Sequence, residues 1–171
     1  MAVFRVIHHP IECCKADGGK ELYRTEEIIT GILKDIGSPQ NSTDYLIGTI
    51  GVGHLKAAEQ FARTAQIFRK TNGIYLRHTV LSFRPDECMM PGEAMNLGYR
   101  IASYYTDRFQ MIVVAQMMEK GYQMIHFLMN TVSYVDGREF KDDLKDRFYF
   151  QEHAKEMCRE EGRYLSVSMD C

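Results

Sequence analysis

Hydrophobic and polar positions along the chain form short runs that predict strands and helices in alternation. Apolar alternation or short apolar runs predict strands at 2–8, 45–52, 74–83, 111–117 and 123–134, with a further candidate at 164–168. Apolar residues at three- and four-residue spacing predict helices at 20–35, 54–70, 91–105 and 143–161. The order β-α-β-α-β-α-β-β-α-(β) predicts an α/β (α+β) fold with a central, mainly antiparallel sheet.

The length and composition of the chain are those of one globular domain. The 171 residues are 45% hydrophobic and 26% charged, and no internal repeat or linker interrupts them. We therefore predict a single domain over residues 1–171. A chain of this length buries roughly 70% of the surface that it exposes when unfolded, which is enough for a hydrophobic core.

The charge and cysteine content narrow the class of protein. The formal net charge is −2, from 21 basic and 23 acidic residues, whereas dedicated nucleic-acid binders usually carry a basic excess. This total still allows a basic face on one part of the surface. The five cysteines are odd in number and include no C-x-x-C motif, and no signal-peptide or membrane-spanning run is present. A reduced, cytoplasmic protein without membrane contact is the prediction.

The segment VVAQMMEKGYQMIHFLMNTVS, residues 113–133, predicts two apolar strands joined by a polar turn. Because side chains alternate along a strand, one face is expected to carry Tyr122, Met124, His126, Leu128 and Asn130. Met117 is expected to face them from the first strand of the hairpin. The result would be a cluster of methionine and histidine side chains around His126.

Five segments of the chain, in order, resemble the relaxase or mobilisation nuclease family of conjugative and mobilisable elements. They are ILKDIGSPQNST at 32–43, RHTVLSFRPDE at 77–87, EAMNLGYRIA at 93–102, HFLMNTVS at 126–133 with the following Asp136-Gly137, and EEGRYLSVS at 160–168. The likeness covers roughly residues 30–168. It implies an HUH-relaxase-like fold, in which an antiparallel sheet of about five strands is flanked by helices.

The resemblance also implies a chemistry and a set of partners. In that family a tyrosine attacks one DNA strand at a transfer origin, and a divalent ion, Mg²⁺ or Mn²⁺, held by three histidines polarises the phosphate. Single-stranded or hairpin DNA is therefore the implied partner, with other mobilisation proteins as further candidates.

The metal-ligand positions of the family are mostly replaced in this chain. By resemblance, the first two ligand histidines fall on Met117 and Met124, and the third is kept as His126. A thioether is a soft donor and a poor ligand for Mg²⁺ or Mn²⁺. We therefore expect the usual relaxase mechanism to be impaired.

Two acidic residues stand at further positions that matter in the family. Glu119 takes the place of an aspartate that follows the first histidine in many relatives, and the nucleophilic tyrosine falls at or near Asp35. Asp35 and Glu119 are thus candidate catalytic residues, with His126 as candidate metal ligand, in a rebuilt hard-metal site. Plain core around one hydrogen-bonded histidine is one alternative, and a soft Cu(I) site of methionine and histidine is the other.

His78 and Asn130 are candidate nucleic-acid contacts. His78 lies beside Thr79 and Ser82 on the strand before the hairpin, and Asn130 lies on the face predicted for His126. A structural role for His78 within its strand is the alternative interpretation.

Three functions follow from these observations. The first is a degenerate relaxase domain that keeps its fold and binds DNA as an accessory protein. The second is an active metal-dependent endonuclease whose site is rebuilt around the acidic residues. The third, which the acidic net charge favours slightly, is a protein-interaction module that binds no nucleic acid.

Overall fold

The computed structural model describes residues 2–7, 20–36, 38, 44–53, 56–70, 76–87 and 89–167, with the side chains of 2–7, 20–26, 28 and 166–167 excepted. The strands are β1 (Ala2–Ile7), β2 (Asp44–Ile50), β3 (Leu76–Phe83), β4 (Met111–Met117), β5 (Gln123–Asn130) and β6 (Leu165–Val167). The helices are α1 (Lys20–Ile36), α2 (Ala57–Ile67), α3 (Pro91–Ala102) and α4 (Leu144–Glu160). A 3₁₀ turn at Pro85–Glu87 precedes α3.

The strands form one sheet in the order β2-β4-β5-β3-β1-β6. Four of them, β2, β4, β5 and β3, make an antiparallel centre, β1 adds to β3 in the antiparallel sense, and β6 pairs parallel to β1. The α+β class and the mainly antiparallel sheet are confirmed. The count of five strands is wrong, because the short strand near the end of the chain also joins the sheet.

Helices cover both faces of the sheet, because the central strands are apolar on both sides. One hydrophobic core joins α3 and α4 to the face that carries Val113, Ala115, Ile125 and Phe127. A second, smaller core joins α1 and α2 to the opposite face, which carries Ile112, Val114 and Leu128. The candidate residues of the sequence lie mostly on this second face.

Several element ends differ from the sequence prediction for local reasons. Strand β5 ends at Asn130 rather than at residue 134, because the Asn130 side chain accepts a hydrogen bond from the Val132 amide at 3.1 Å and turns the chain. Helix α3 ends at Ala102, where turns begin. Three predicted ends lie outside the described residues. They are the start of α2 at residue 54, the start of β3 at residue 74 and the end of β6 at residue 168.

Helix α2 ends in a Schellman motif with an unusual residue at its centre. The Lys70 amide donates to the Ala65 carbonyl at 2.8 Å, and the Arg69 amide donates to the Gln66 carbonyl at 3.0 Å. Arg69 itself adopts the left-handed conformation of this motif, with φ of 54°, at a position that glycine usually occupies. Helix α2 is therefore shorter than the predicted 54–70.

Within the described part of the chain, no helix combines the length and the apolar character needed to cross a bilayer.

Candidate functional site

The candidate site lies on the sheet face that α1 and α2 cover, and the strand register decides which side chains meet there. His126 on β5 stands between Val114 on β4 and Val80 on β3. One step towards the hairpin turn, Met124 stands between Gln116 and Ser82. Residues paired across neighbouring strands point to the same side of a sheet, so Gln116 and Met124 share the face of His126.

His126 is held by a buried chain of hydrogen bonds. Its Nε2 lies 2.8 Å from Gln116 Oε1, and its Nδ1 lies 3.1 Å from His78 Nε2. Gln116 Nε2 in turn donates to the Ile36 carbonyl at the end of α1, at 3.0 Å. Because an amide oxygen only accepts, His126 carries its proton on Nε2 and accepts from the His78 ring at Nδ1.

The pKa of His126 is consistent with a neutral imidazole that carries one proton. His126 is 6% exposed, and burial lowers the pKa of its imidazole to about 4. The ring is therefore neutral at neutral pH. A neutral imidazole has one donor and one acceptor nitrogen, and both are satisfied by Gln116 and His78.

The orientation predicted for Met117 is wrong. Met117 pairs with Gln123, which lies three residues before His126 on β5. Because Gln123 and His126 are an odd number of positions apart, Met117 and Gln123 point towards the opposite face of the sheet. The turn sets this register, since the Met118 amide donates to the Tyr122 carbonyl at 2.8 Å and Gly121 adopts φ of 77°. Gln116 takes the place beside His126 that was expected for Met117.

The described residues do not fit the divalent ion that the family resemblance implies. No three histidine, cysteine, aspartate or glutamate side chains gather into a ligand group anywhere in the described part of the chain. Both nitrogens of His126 are already engaged, and the neighbouring Met124 offers only a thioether.

The two acidic candidates are exposed and do not complete a ligand group with His126. Asp35 lies in the last turn of α1, and Glu119 lies in the turn between β4 and β5. Their catalytic roles stay predictions.

The two predicted nucleic-acid contacts are brought into separate buried networks. His78, 5% exposed, is joined to His126. Asn130, 0% exposed, donates to Gln110 Oε1 at 2.8 Å, and Thr64 of α2 donates to the same oxygen at 2.9 Å. A contact of either side chain with nucleic acid stays a prediction.

Two further residues carry networks that the sequence reasoning did not single out. Gln116 was the polar interruption of the apolar run VVAQM, which was the signal available for it. On the other face, the buried Arg77 donates to Tyr105 Oη at 2.9 Å and lies 3.5 Å from Asp142. Burial raises the pKa of the Tyr105 hydroxyl, which donates to Asp146 at 2.5 Å. This second network joins β3 to the start of α4.

Comparison with known proteins gives one family match and two curated relatives. The profile of the family described as "Relaxase: MobA/VirD2-like, nuclease domain" matches residues 37–163. Two proteins named Protein rlx, both from Staphylococcus aureus, are 27% identical over 112 residues and 24% identical over 111 residues. These alignments cover 66% and 65% of this chain but 34% and 33% of the relatives. The chain thus spans about a third of the length of those relatives.

Proposed function

Since this chain belongs to the MobA/VirD2-like relaxase nuclease family, we propose that it serves DNA mobilisation as a binding domain with an impaired nuclease site. It binds single-stranded or hairpin DNA at a transfer origin, in the cytoplasm, as an accessory to an active relaxase and other mobilisation proteins. The proposal includes an HUH-relaxase-like fold, which the antiparallel centre of the sheet and the flanking helices support.

The hydrogen bonding of His126 is the observation that carries this proposal. By the resemblance, His126 is the one histidine kept at the metal positions of the family, and its two nitrogens are hydrogen-bonded to Gln116 and His78. Attack on a phosphodiester requires that the negative charge on the phosphate be reduced. A neutral, buried imidazole with both nitrogens engaged does not supply that positive charge.

A nicking assay tests the proposal. Supercoiled plasmid and a single-stranded hairpin are incubated with Mg²⁺ or Mn²⁺ and either the wild-type chain or His126→Ala, with DNA binding measured in the same reactions. We expect DNA to be bound and no strand to be cut. Strand cleavage by the wild type that is lost in His126→Ala would refute impairment, and absence of DNA binding would refute the binding role.

An active endonuclease with a rebuilt site is the second candidate. It is favoured by the bond between Gln116 and the Ile36 carbonyl, which ties the last turn of α1, the turn that contains Asp35, to the histidine network. Metal-dependent cleavage that is lost in both Asp35→Ala and Glu119→Ala would support this candidate. Cleavage that survives both changes would reject these residues as catalytic.

A further inference from the structure

The exposed side of α2 carries a concentration of positive charge in a chain whose net charge is −2. Between residues 56 and 70 the basic residues are Lys56, Arg63, Arg69 and Lys70, and Glu59 is the one carboxylate. Lys56, at the start of α2, and Arg63 are seven residues apart, which is two helical turns, so both lie on one side of the helix. Arg69 and Lys70 follow in the turn that ends the helix. We call these four basic residues and Ile67 the α2 face.

The arginines of the α2 face are available to an external anion. Arg63 and Arg69 are exposed, and among the described residues neither has a carboxylate within 4.0 Å. The two lysines have loose partners, since Lys56 lies 3.8 Å from Glu59 and Lys70 lies 3.4 Å from Glu139. Exposed ion pairs of this kind contribute little to the free energy of unfolding.

Three of the four lysine and arginine residues of α4, on the opposite face of the sheet, form closer ion pairs. Lys155 lies 2.6 Å from Glu152, Arg147 lies 2.7 Å from Asp142, and Arg159 forms a close pair with Glu156. These charges are neutralised within the helix or by its flanking loop. In contrast to these three residues, Arg63 and Arg69 leave their charges unpaired among the described residues.

Two independent features of the α2 face point to a bound partner rather than to folding. Arg69 occupies a left-handed position, with φ of 54°, where glycine would relieve backbone strain. Residues kept in strained conformations are often retained for function. Ile67, at 67% exposure, is a large apolar side chain left in solvent between these charges.

We propose that the α2 face binds the sugar-phosphate backbone of DNA, an inference that rests on the DNA-binding role proposed above. Helix α2 itself, Ala57–Ile67, is about 16 Å long at 1.5 Å per residue. DNA carries one phosphate per about 3.4 Å of each strand, so several phosphates lie along this length. The basic side chains pair with phosphate oxygens, and Ile67 packs against sugar carbons.

Charge reversal with a matched control tests the proposal. Fluorescence anisotropy with a labelled DNA hairpin bearing a single-stranded tail compares the wild type with Arg63→Glu/Arg69→Glu. The control, Lys155→Glu/Arg159→Glu on α4, makes the same change in net charge on the other side of the sheet. We expect the α2 variant to lose affinity about tenfold or more, and the salt slope to fall by about 1.5. The control should lose much less.

A second variant separates DNA binding from folding. Arg69→Gly should raise the denaturation midpoint, because it relieves the left-handed backbone, and should still weaken DNA binding. Equal losses of DNA affinity in the two charge-reversal variants, or unchanged affinity in Arg69→Gly, would refute DNA binding by the α2 face. The proposed function would then still stand. If the wild-type chain has no affinity for DNA, both the proposed function and DNA binding by the α2 face are refuted. The α2 face would then be expected to bind an acidic protein.

Discussion

Gln116 links three parts of the structure through one side chain. Its amide oxygen accepts from His126 and its amide nitrogen donates to the Ile36 carbonyl, so β4, β5 and the end of α1 are tied together. Gln116 is 3% exposed, and water therefore cannot replace either bond easily.

Gln116→Ala is expected to destabilise the fold. The change leaves the His126 Nε2 proton and the Ile36 carbonyl unpaired in a buried place, which costs about 1–3 kcal/mol of unfolding free energy. Urea denaturation measures the effect, and Gln66→Ala, which removes an exposed glutamine on α2, is the control. An equal, small effect in the two variants would show that the network contributes nothing to stability.

The lowered pKa of His126 predicts a pH dependence of stability. In the unfolded chain the imidazole takes up a proton near pH 6.5, whereas in the folded chain it does so at about pH 4. Below pH 6.5 the unfolded state therefore binds more protons, and the fold loses stability as the pH falls towards 4. The loss amounts to roughly 3 kcal/mol at most.

Denaturation midpoints between pH 4 and pH 8 check this expectation. His126→Gln removes the titrating group, so its stability should depend less steeply on pH between 4 and 6.5 than that of the wild type. Parallel pH profiles for the two chains would contradict a neutral, buried His126.

At the scale of elements, α3 packs on the sheet through a close approach that requires glycine. A Cβ atom on Gly98 would lie 2.8 Å from Val113 Cγ1 and 3.1 Å from Ile125 Cγ2. Gly98→Ala should therefore push α3 away from β4 and β5 and cost about 1–3 kcal/mol. Thermal unfolding measures the loss.

Gly92, in the first turn of the same helix, provides the matched control. A Cβ atom there meets nothing within 4 Å among the described residues, so Gly92→Ala should be neutral or slightly stabilising. If both alanine variants unfold at the same temperature, the close packing of α3 on the sheet is not a constraint.

Sequence patterns located the elements well where apolar runs were uninterrupted. Strand β4 was predicted at 111–117 and lies there, because every residue of the run except its last is buried. The face of Met117 could not be predicted in the same way. It depends on the hairpin register, which is set by hydrogen bonds within the turn rather than by hydrophobicity.

The candidate site was predictable in part. Resemblance directed attention to His126, and the strand period placed it on a face with Met124. Its partners could not be anticipated, because Gln116 comes from the neighbouring strand and His78 is 48 residues distant along the chain. Long-range pairing of polar side chains leaves no periodic trace in a single sequence.

For the whole molecule, the net charge of −2 does not describe how the charges are distributed over the surface. The charges are distributed unevenly, since three basic residues of α4 form close ion pairs, whereas Arg63 and Arg69 of the α2 face form none with the described residues. Binding to a polyanion depends on local arrangement rather than on the sum over the chain. A weak but salt-sensitive affinity for DNA is compatible with an acidic total.

The parallel pairing of β1 with β6 has a consequence for the order in which the structure opens. This ladder matches Ala2 with Leu165 and Phe4 with Val167, so it closes a loop of almost the entire chain. The β4–β5 hairpin closes across a short turn. Three residue pairs join β6 to β1, whereas seven join β4 to β5, so fewer backbone hydrogen bonds hold β6 in the sheet.

Strand β6 should therefore detach first while the hairpin persists. In native-state hydrogen exchange, we expect the amides of Leu165–Val167 to exchange at far lower denaturant than those of Gln123–Asn130. Simultaneous exchange of both segments would instead mean that the sheet opens as one cooperative unit. If β6 does open locally, its departure uncovers the edge of β1, and the protein gains a transient strand-pairing edge without losing the hairpin that holds His126.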